Sequence, residues 1–311
     1  MQTPRRSSTK PRATGAQAIA AGESSKPETP RPAPGLYVVA TPIGNLGDVT
    51  ARALDVLSAA DVIACEDTRV TGRLLAAYGI RAAMTPYHDH NAERARPILM
   101  QRLQRGEIVA LVSDAGTPLV SDPGYRLVAA AAAAGVTVTA LPGASSVLAA
   151  LAVAGLPTDR FLFVGFLPPR RAARREALAE IAPVRASLVV LEAPHRLAEA
   201  LNDMAAVLGA RAAAVARELT KLFEEVRRGS LTDLAAHYAA AGAPKGEIVI
   251  VVGPPAAGAQ AAPSEAEIDA RLADALEGAS VRDAAAAVAA DCGLPRRTVY
   301  ARALALTKGR R

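Results

Sequence analysis

The sequence predicts an α/β fold of two lobes followed by a small helical module. Short apolar runs alternate with helical patterns over residues 36–155, and a second alternating series covers 160–253. Such alternation is typical of mostly parallel, doubly wound sheets. The module is predicted because three helical patterns follow a stretch rich in proline and alanine at 254–264.

Residues 1–34 are predicted to be a disordered extension, because they are rich in Pro, Ser, Ala, Thr and Arg and lack apolar periodicity. A targeting peptide is the less favoured interpretation, since four prolines between Pro27 and Pro34 interrupt any amphipathic helix. No apolar run approaches the roughly 20 residues that span a bilayer. Only Cys65 and Cys292 are present, far apart, so neither a disulfide framework nor a zinc site is indicated, and the cytoplasm is the expected compartment.

The net charge of +6 is concentrated at the two ends of the chain. Residues 1–34 hold six basic and two acidic residues, and residues 296–311 hold six basic and no acidic ones. The body, 35–295, is left with 24 basic and 28 acidic residues. Basic ends on a weakly acidic body suit contact with phosphate backbones, and they suit solubilisation of frayed ends equally well.

The first lobe is predicted at 35–154 from four repeats of a strand and a helix. The predicted strands are LYVVAT, DVIACEDT, EIVALVSDAG and VTVTALPG. Asp48 is the predicted N-cap of the first helix, and Asp122 is predicted to cap a helix whose first turn holds Pro123.

The second lobe is predicted at 155–253, with alanine-rich helices between strands. Its predicted strands are RFLFVGFLP, ASLVVLEAP, RAAAVARELT, EEVRRGSL and GEIVIVVG. A linker at 254–264 leads to the helical module at 265–311, whose last two helices meet at a glycine in the pattern of a helix-turn-helix. We interpret the module as a docking appendage for a nucleic acid, or as a packing element.

The segment VSDAGTPLVSDPG, residues 112–124, holds two Asp turns in succession. Asp114 follows a buried strand, and open α/β sheets bind ligands at the carboxyl ends of their strands. A capping turn is the structural alternative for Asp114. The first loop, TPIGNLGD, also joins a strand to a helix, but it lacks the spacing of a dinucleotide fingerprint or a P-loop, so a cofactor without a critical pyrophosphate is favoured.

Seven segments together resemble the tetrapyrrole-methylase superfamily, and within it the branch that methylates ribosomal RNA. The segments are ATPIGNLGDVTARAL, CEDTRVTGRLL, SDAGTPLVSDPG, PGASSVLAALAVAGLPTDRFLFVGFLP, LEAPHRL, RELTKLFEE and KGEIVIVV, in the family's order over about 36–252. The resemblance implies a two-lobed class III methyltransferase fold, S-adenosylmethionine bound between the lobes, and a homodimer. It also implies 2′-O-methylation of a cytidine in the small-subunit decoding centre, with 16S rRNA or the assembled small ribosomal subunit as the partner.

By position, the resemblance assigns cofactor contacts to ten residues. In the first lobe they are Pro42, Ile43 and Gly44 of the first loop, Asp114, Gly116 and Thr117 of the doubled turn, and Ser145 and Ser146 of PGASS. In the second lobe they are Leu219 in RELT and Lys245 before the last strand, which would flank the adenine.

Methyl transfer to a ribose hydroxyl requires in-line alignment, and a base that takes the hydroxyl proton assists it. Four candidate bases follow strands: Glu66 and Asp67 in CEDTR, and Glu192 and His195 in LEAPHR. The structural alternatives are an ion pair of Glu66 or Asp67 with Arg69 at a helix start, and a capped imidazole for His195. The sequence does not decide among these candidates.

Contacts with RNA are predicted for the four arginines of PPRRAARRE, in a loop between a strand and a helix: Arg170, Arg171, Arg174 and Arg175. A solvated helix face is the alternative. The chain has ten Phe and Tyr residues and no Trp, so recognition would depend on phosphates and shape. The His-Asp-His motif at 88–90 lacks a third ligand, and no metal site is expected.

Two other functions remain as alternatives. C-methylation of a tetrapyrrole would use the same cofactor cleft, and a DNA-binding regulator would use the C-terminal helices without enzymatic activity. The arginine cluster and the helical tail favour RNA over a tetrapyrrole. The seven motif segments favour an enzyme over a regulator.

Overall fold

A computed structural model of the protein describes residues 31–119, 124–256, 265–292 and 294–309. These residues form two five-stranded sheets covered by helices, and a group of three helices follows the second sheet. The predicted architecture of two α/β lobes and a helical module is confirmed. Most of the predicted disordered extension and linker lies outside the described residues, so the exact domain boundaries stay predictions.

The first sheet is parallel throughout, with strand order β3-β2-β4-β1-β5. Its strands are β1 (Gly35–Val39), β2 (Val62–Cys65), β3 (Met84–Pro86), β4 (Ile108–Val112) and β5 (Val138–Leu141). Strands β1, β2 and β4 are buried along their whole length, because strands at the centre of a parallel sheet are covered on both faces. All five carboxyl ends therefore lie at one edge of the sheet.

Five helices accompany this sheet: α1 (Ala51–Ala59), α2 (Thr68–Ala77), α3 (Ala92–Gln104), α4 (Tyr125–Ala133) and α5 (Ser146–Ala154). The cap predicted for α1 is wrong: Asp48 belongs to a short 3₁₀ helix, and Thr50 accepts the hydrogen bond from the α1 backbone. Helix α4 has Gly124 as its N-cap. The predicted capping pair, Asp122 and Pro123, lies outside the described residues.

Sequence analysis missed β3 and α3. The three residues of β3 are too few to form a periodic pattern. Helix α3 contains Pro97, and an internal proline argues against a helix from sequence alone. The polar segment around the His-Asp-His motif therefore connects a strand to a helix.

The second sheet is mixed, with strand order β6-β7-β10-β8-β9. Its strands are β6 (Phe161–Phe166), β7 (Ser187–Glu192), β8 (Ala212–Arg217), β9 (Glu225–Ser230) and β10 (Ile248–Val252), and its helices are α6 (Arg171–Ile181), α7 (Leu197–Leu208) and α8 (Leu231–Ala241). Only β6 and β7 pair in parallel. The expectation of a helix between every two strands fails for β8 and β9, which form an antiparallel hairpin across the loop at 218–224.

Helix α5 joins the two lobes. Its residues Val147 and Leu151 pack in one apolar cluster with Val189 and Val251 of the second sheet and with Ile43 of the first loop. Arg228 on β9 donates from Nε to the carbonyl oxygen of Ala154 at 3.2 Å, and so supplies a partner to the carboxyl end of α5. The first loop and the second sheet are thereby held against each other.

The C-terminal module consists of α9 (Glu265–Ala275), α10 (Val281–Cys292) and α11 (Arg296–Gly309). These helices share a hydrophobic core of their own, which includes Leu272, Val288 and Val299. Arg302 on α11 forms an ion pair with Asp269 on α9. Among the residues the structure covers, no helix is long and apolar enough to cross a membrane.

Candidate active site

A cavity of about 610 Å³ lies between the two lobes. Its first-lobe wall is formed by the loop after β1, by one face of α2 and by the turn after β4, and its second-lobe wall by Lys221 and Glu247. The cavity thus lies at the carboxyl edge of the first sheet, where open α/β sheets bind their ligands.

Four of the ten predicted cofactor residues line the cavity: Pro42, Ile43, Gly44 and Asp114. Gly116 lies beside them, since its backbone pairs with Thr41 through two hydrogen bonds of 2.9 and 3.0 Å. Gly116 has a φ of 82°, a conformation that favours glycine, and a side chain there would approach Ile43. The structure therefore brings the first loop and the doubled turn together as one wall.

The other five predicted cofactor residues are not among those that line the cavity: Thr117, Ser145, Ser146, Leu219 and Lys245. Thr117 donates from Oγ1 to the carbonyl oxygen of Ala144 at 3.1 Å, and Ser145 caps α5. Leu219 is buried in the cluster between the lobes. The roles assigned to these residues by resemblance stay predictions.

Lys221 is a cavity residue that sequence analysis missed. Its Nζ lies 2.8 Å from a carboxylate oxygen of Glu218 and 3.2 Å from one of Glu247. Burial acts to lower the pKa of Lys221, but the hydrogen bonds to these two carboxylates outweigh burial and raise it. The aliphatic chain of Lys221 fills the space beside Gly44, where an added methyl group would lie 2.4 Å from Cγ. A lysine directly after RELT, the segment that contains Leu219, was the available signal.

The loop that carries Lys221 has an unusual backbone. Glu218 and Thr220 have φ values of 51° and 66°, in the left-handed region that disfavours residues with side chains. The carboxylate of Glu224 accepts a hydrogen bond from the backbone N–H of Thr220 at 2.6 Å. Backbone strain that neighbouring contacts maintain is common at functional sites. Here the strained residues flank Lys221, which lines the cavity.

Two carboxylates meet where β4 ends and α2 begins. Asp114 accepts a hydrogen bond from the backbone N–H of Asp67 at 3.0 Å, and burial raises the pKa of Asp114 despite that bond. Asp67 accepts from the backbone N–H of Arg69 at 2.8 Å and forms an ion pair of 2.6 Å with its guanidinium. The hydrogen bonds from Arg69 lower the pKa of Asp67 to about 2. The structural alternative for Asp67, an ion pair with Arg69 at a helix start, is thus what the structure contains.

Glu192 and His195 lie at the carboxyl end of β7, away from Glu66 and Asp67. Glu192 is fully buried and lies 3.0 Å from the guanidinium of Arg196. His195 is exposed on a short 3₁₀ helix. The structure therefore divides the four candidate bases between two sheet edges, and none of the four is among the residues that line the cavity.

The arginine cluster lies at the start of α6, so the prediction of a loop is wrong. Arg170 is the N-cap residue, and the helix begins at Arg171. Arg174 is only 1% exposed and lies 2.7 Å from the carboxylate of Asp203 on α7, which removes it from the candidate phosphate contacts. Arg170, Arg171 and Arg175 are exposed, although the last two lie 3.2 and 3.9 Å from the same carboxylate.

The cavity fits a small cofactor with both polar and apolar parts. Its volume, about 610 Å³, lies within the roughly 300–1,000 Å³ of small-molecule sites. Apolar side chains of the first loop and α2 line it together with the Asp114 carboxylate, and a side chain at Gly116 would press on Ile43 of the wall. In the part of the chain that the structure describes, no group of three His, Cys, Asp or Glu side chains could hold a metal ion.

Comparison with known proteins identifies two matching families. Residues 35–235 match the family described as Tetrapyrrole (Corrin/Porphyrin) Methylases, and residues 262–307 match the RsmI C-terminal HTH domain. A Mesorhizobium japonicum protein named Ribosomal RNA small subunit methyltransferase I is 53% identical over 274 residues, which cover 88% of this chain and 92% of that protein. A Vibrio cholerae protein of the same name is 50% identical over 76% of this chain and 83% of its own length.

Solved structures share the fold at lower sequence identity. The methyltransferase CobJ superposes with a TM-score of 0.54 at 20% identity, covering 71% of this chain and 95% of that chain. A diphthine synthase gives the same TM-score at 18% identity, covering 70% and 89%. The chain, about half identical to these curated relatives over most of its length, belongs to the ribosomal RNA small subunit methyltransferase I family, within the S-adenosylmethionine-dependent tetrapyrrole methylases.

Proposed function

We propose that this protein transfers a methyl group from S-adenosylmethionine to the 2′-hydroxyl of a cytidine in the decoding centre of 16S rRNA. The observation that carries the proposal is the cavity between the lobes, whose walls combine the first loop, Asp114 and Lys221. The shared name of the curated relatives supports small-subunit rRNA as the substrate. The resemblance of the seven motif segments supports a cytidine 2′-hydroxyl as the acceptor.

Bound S-adenosylmethionine supplies a sulfonium methyl group that is already activated for transfer. Pro42, Ile43, Gly44 and Asp114 would hold the cofactor at the carboxyl edge of the first sheet. The remaining task of the protein is to place the ribose oxygen in line with the methyl group and to exclude water. Alignment of this kind contributes up to about 10 kcal/mol to the lowering of the barrier.

The hydroxyl proton needs an acceptor, and we propose Glu66 or His195 over Asp67 and Glu192. Asp67 is poorly suited, because its pKa of about 2 makes it a weak base near neutral pH. Glu192 is poorly suited because it is buried and paired with Arg196. Glu66, at the edge of the first sheet, and His195, an exposed imidazole at the edge of the second, remain the two candidates for the proton acceptor.

A transfer assay with radiolabelled S-adenosylmethionine tests this function. The acceptors are naked 16S rRNA and small ribosomal subunits from a strain that lacks the gene, and a tetrapyrrole precursor. We expect label in an alkali-resistant cytidine dinucleotide after nuclease digestion, and little label in subunits from a strain that carries the gene. Label in the tetrapyrrole alone would overturn the RNA proposal and favour C-methylation.

We further propose that the protein acts in the cytoplasm as a homodimer, with 16S rRNA or the assembled small subunit as its partner. The family resemblance supports the dimer, and the rRNA substrate supports the location. Light scattering during gel filtration should give twice the 31.9 kDa of one chain. A monomeric mass at micromolar concentration would contradict the dimer.

A further inference from the structure

Arg73 on α2 is a cation in the cavity wall, and no carboxylate of the described residues forms an ion pair with it. It lines the cavity together with Val70 and Leu74, and its side chain is exposed. Its Nε approaches the backbone oxygen of Arg69 at 3.4 Å, a weak contact. Arg73 forms no ion pair with any residue that the structure describes.

Lys221, the other cation among the described residues of the cavity wall, is already neutralised. Lys221 is paired with Glu218 and Glu247 at 2.8 and 3.2 Å, so its charge is balanced within the protein. Asp67, the N-cap residue of the helix that carries Arg73, is paired with Arg69. Arg73 attracts the Asp114 carboxylate of the same wall, which acts to lower the pKa of Asp114, but the two form no ion pair. The guanidinium N–H groups of Arg73 are therefore left for a ligand, and a guanidinium is well suited to bind a phosphate or carboxylate.

The position of Arg73 favours the macromolecular substrate over the cofactor as its ligand. Thr41 and Ile43 of the first loop are only 3% and 7% exposed, whereas Arg73 lies in the exposed part of the wall. In any RNA chain, ribose C2′ carries the hydroxyl group and the adjacent C3′ carries the 3′-phosphodiester. A ribose placed in the cavity for methyl transfer therefore brings a phosphodiester to the wall.

We propose that Arg73 binds the phosphodiester next to the methylated ribose and so positions the target nucleotide in the cavity. This inference rests on the proposed function, because it assumes an RNA acceptor. It adds a substrate contact on α2, inside the cavity, to those predicted on α6. Arg73 is a binding residue in this proposal and takes no part in proton transfer.

The test compares full-length Arg73→Ala and Arg73→Lys with Arg81→Ala as the matched control. Arg81 is also an exposed arginine, but it precedes β3 and so lies at the opposite edge of the sheet. The dissociation constant for small ribosomal subunits from a strain that lacks the gene is measured at several salt concentrations. The dissociation constant for S-adenosylmethionine is measured by calorimetry.

We expect Arg73→Ala to bind subunits about tenfold more weakly and to reduce the slope of log affinity against log salt by about one. Arg73→Lys should recover most of the affinity, because it keeps the charge. Arg81→Ala should bind like the unaltered protein. Affinity for S-adenosylmethionine should change less than about twofold in all three variants, since the cofactor contacts of the cavity are retained.

Unchanged subunit binding by Arg73→Ala, or an equal loss in Arg81→Ala, would overturn the inference. Weaker binding of S-adenosylmethionine with unchanged subunit binding would also overturn it, because the ligand would then be the cofactor's carboxylate. Subunit binding is measured without methyl transfer. If the unaltered protein binds subunits but does not methylate them, only the proposed function fails.

Discussion

Glu192 is a buried carboxylate whose surroundings indicate a structural role. It accepts a hydrogen bond from the backbone N–H of Ala193 at 2.8 Å and lies 3.0 Å from the guanidinium of Arg196. Arg196 in turn donates to the carbonyl oxygen of Leu167 at 2.7 Å, which connects the ends of β6 and β7. The residue type and its place after a strand indicated a base, but only the structure shows that both carboxylate oxygens are engaged.

Replacing Glu192 with alanine should destabilise the protein by about 3 kcal/mol, because the guanidinium of Arg196 would lose its buried partner. Urea unfolding measures the change. Arg196→Met in the Glu192→Ala background should recover most of the loss, since it removes the uncompensated charge. A Glu192→Ala variant that keeps its stability and loses methyl transfer would instead indicate a catalytic carboxylate.

Asp67→Asn should alter stability in acid and leave methyl transfer nearly unchanged. The pKa of Asp67 is lowered from 3.8 to about 2, so its carboxylate stabilises the folded protein above pH 4, and this contribution is lost as the pH falls from about 4 to about 2. Asparagine can still cap α2. Thermal midpoints between pH 2 and 6 should therefore decline more steeply for the unaltered protein than for the variant. Parallel curves would contradict the assignment.

The first-lobe wall of the cavity could be predicted from the sequence. For Lys221 the sequence offered only its place after RELT, and Arg73 could not be distinguished from other surface cations. Asp114 and the first loop follow apolar runs, and the rule that ligands bind at strand ends places them together without further information. Whether a charged side chain is free depends on contacts distant in sequence: Lys221 is paired with Glu247, 26 positions away, and no local pattern shows that pairing.

At the scale of elements, helix α6 separates arginines in different environments. Arg174 is buried and paired with Asp203 on α7, while Arg170 is exposed before the first turn. The sequence pattern RRAARR contained both kinds, and a helix turns one residue in every three or four toward its neighbour. The prediction of a loop therefore missed the difference in burial between Arg170 and Arg174.

Arg174→Ala should therefore lower the free energy of unfolding by about 3 kcal/mol, because it removes the buried partner of the Asp203 carboxylate and leaves only the exposed Arg171 and Arg175 near it. Arg170→Ala should leave the stability unchanged within about 0.5 kcal/mol and weaken subunit binding if the exposed arginines contact phosphates. Urea unfolding and filter binding to small ribosomal subunits measure the two effects. Equal destabilisation by both substitutions would contradict the division of the cluster.

Strand pairing was the element-scale feature that the sequence left undetermined. Sequence patterns located nine of the ten strands of the described residues. They did not show that a crossover helix joins β6 to β7 whereas a hairpin joins β8 to β9. The β8–β9 hairpin places the loop with Lys221 at the cavity, so the second-lobe wall depends on a pairing that periodicity does not encode.

At the scale of the whole molecule, basic residues are distributed over separate surfaces. The C-terminal module uses some of its charges internally, as in the ion pairs of Arg302 with Glu265 and Asp269. Arg296 and Arg297, in the first turn of α11, are exposed and form no ion pair with any described residue. This charge arrangement suits a phosphate backbone. A-form RNA has a deep, narrow major groove, so α11 would contact its surface without reading bases.

Arg297→Glu should weaken binding to small ribosomal subunits about tenfold and should not change affinity for S-adenosylmethionine, because the module has a hydrophobic core separate from those of the lobes. Arg282→Glu is the matched control, since Arg282 is an exposed arginine on α10 with no ion pair to a described residue. Both variants change the net charge equally, so nonspecific attraction is altered to the same extent. A loss confined to Arg297→Glu would identify α11 as a docking surface, whereas equal losses would mean that only net charge matters and that the module serves packing.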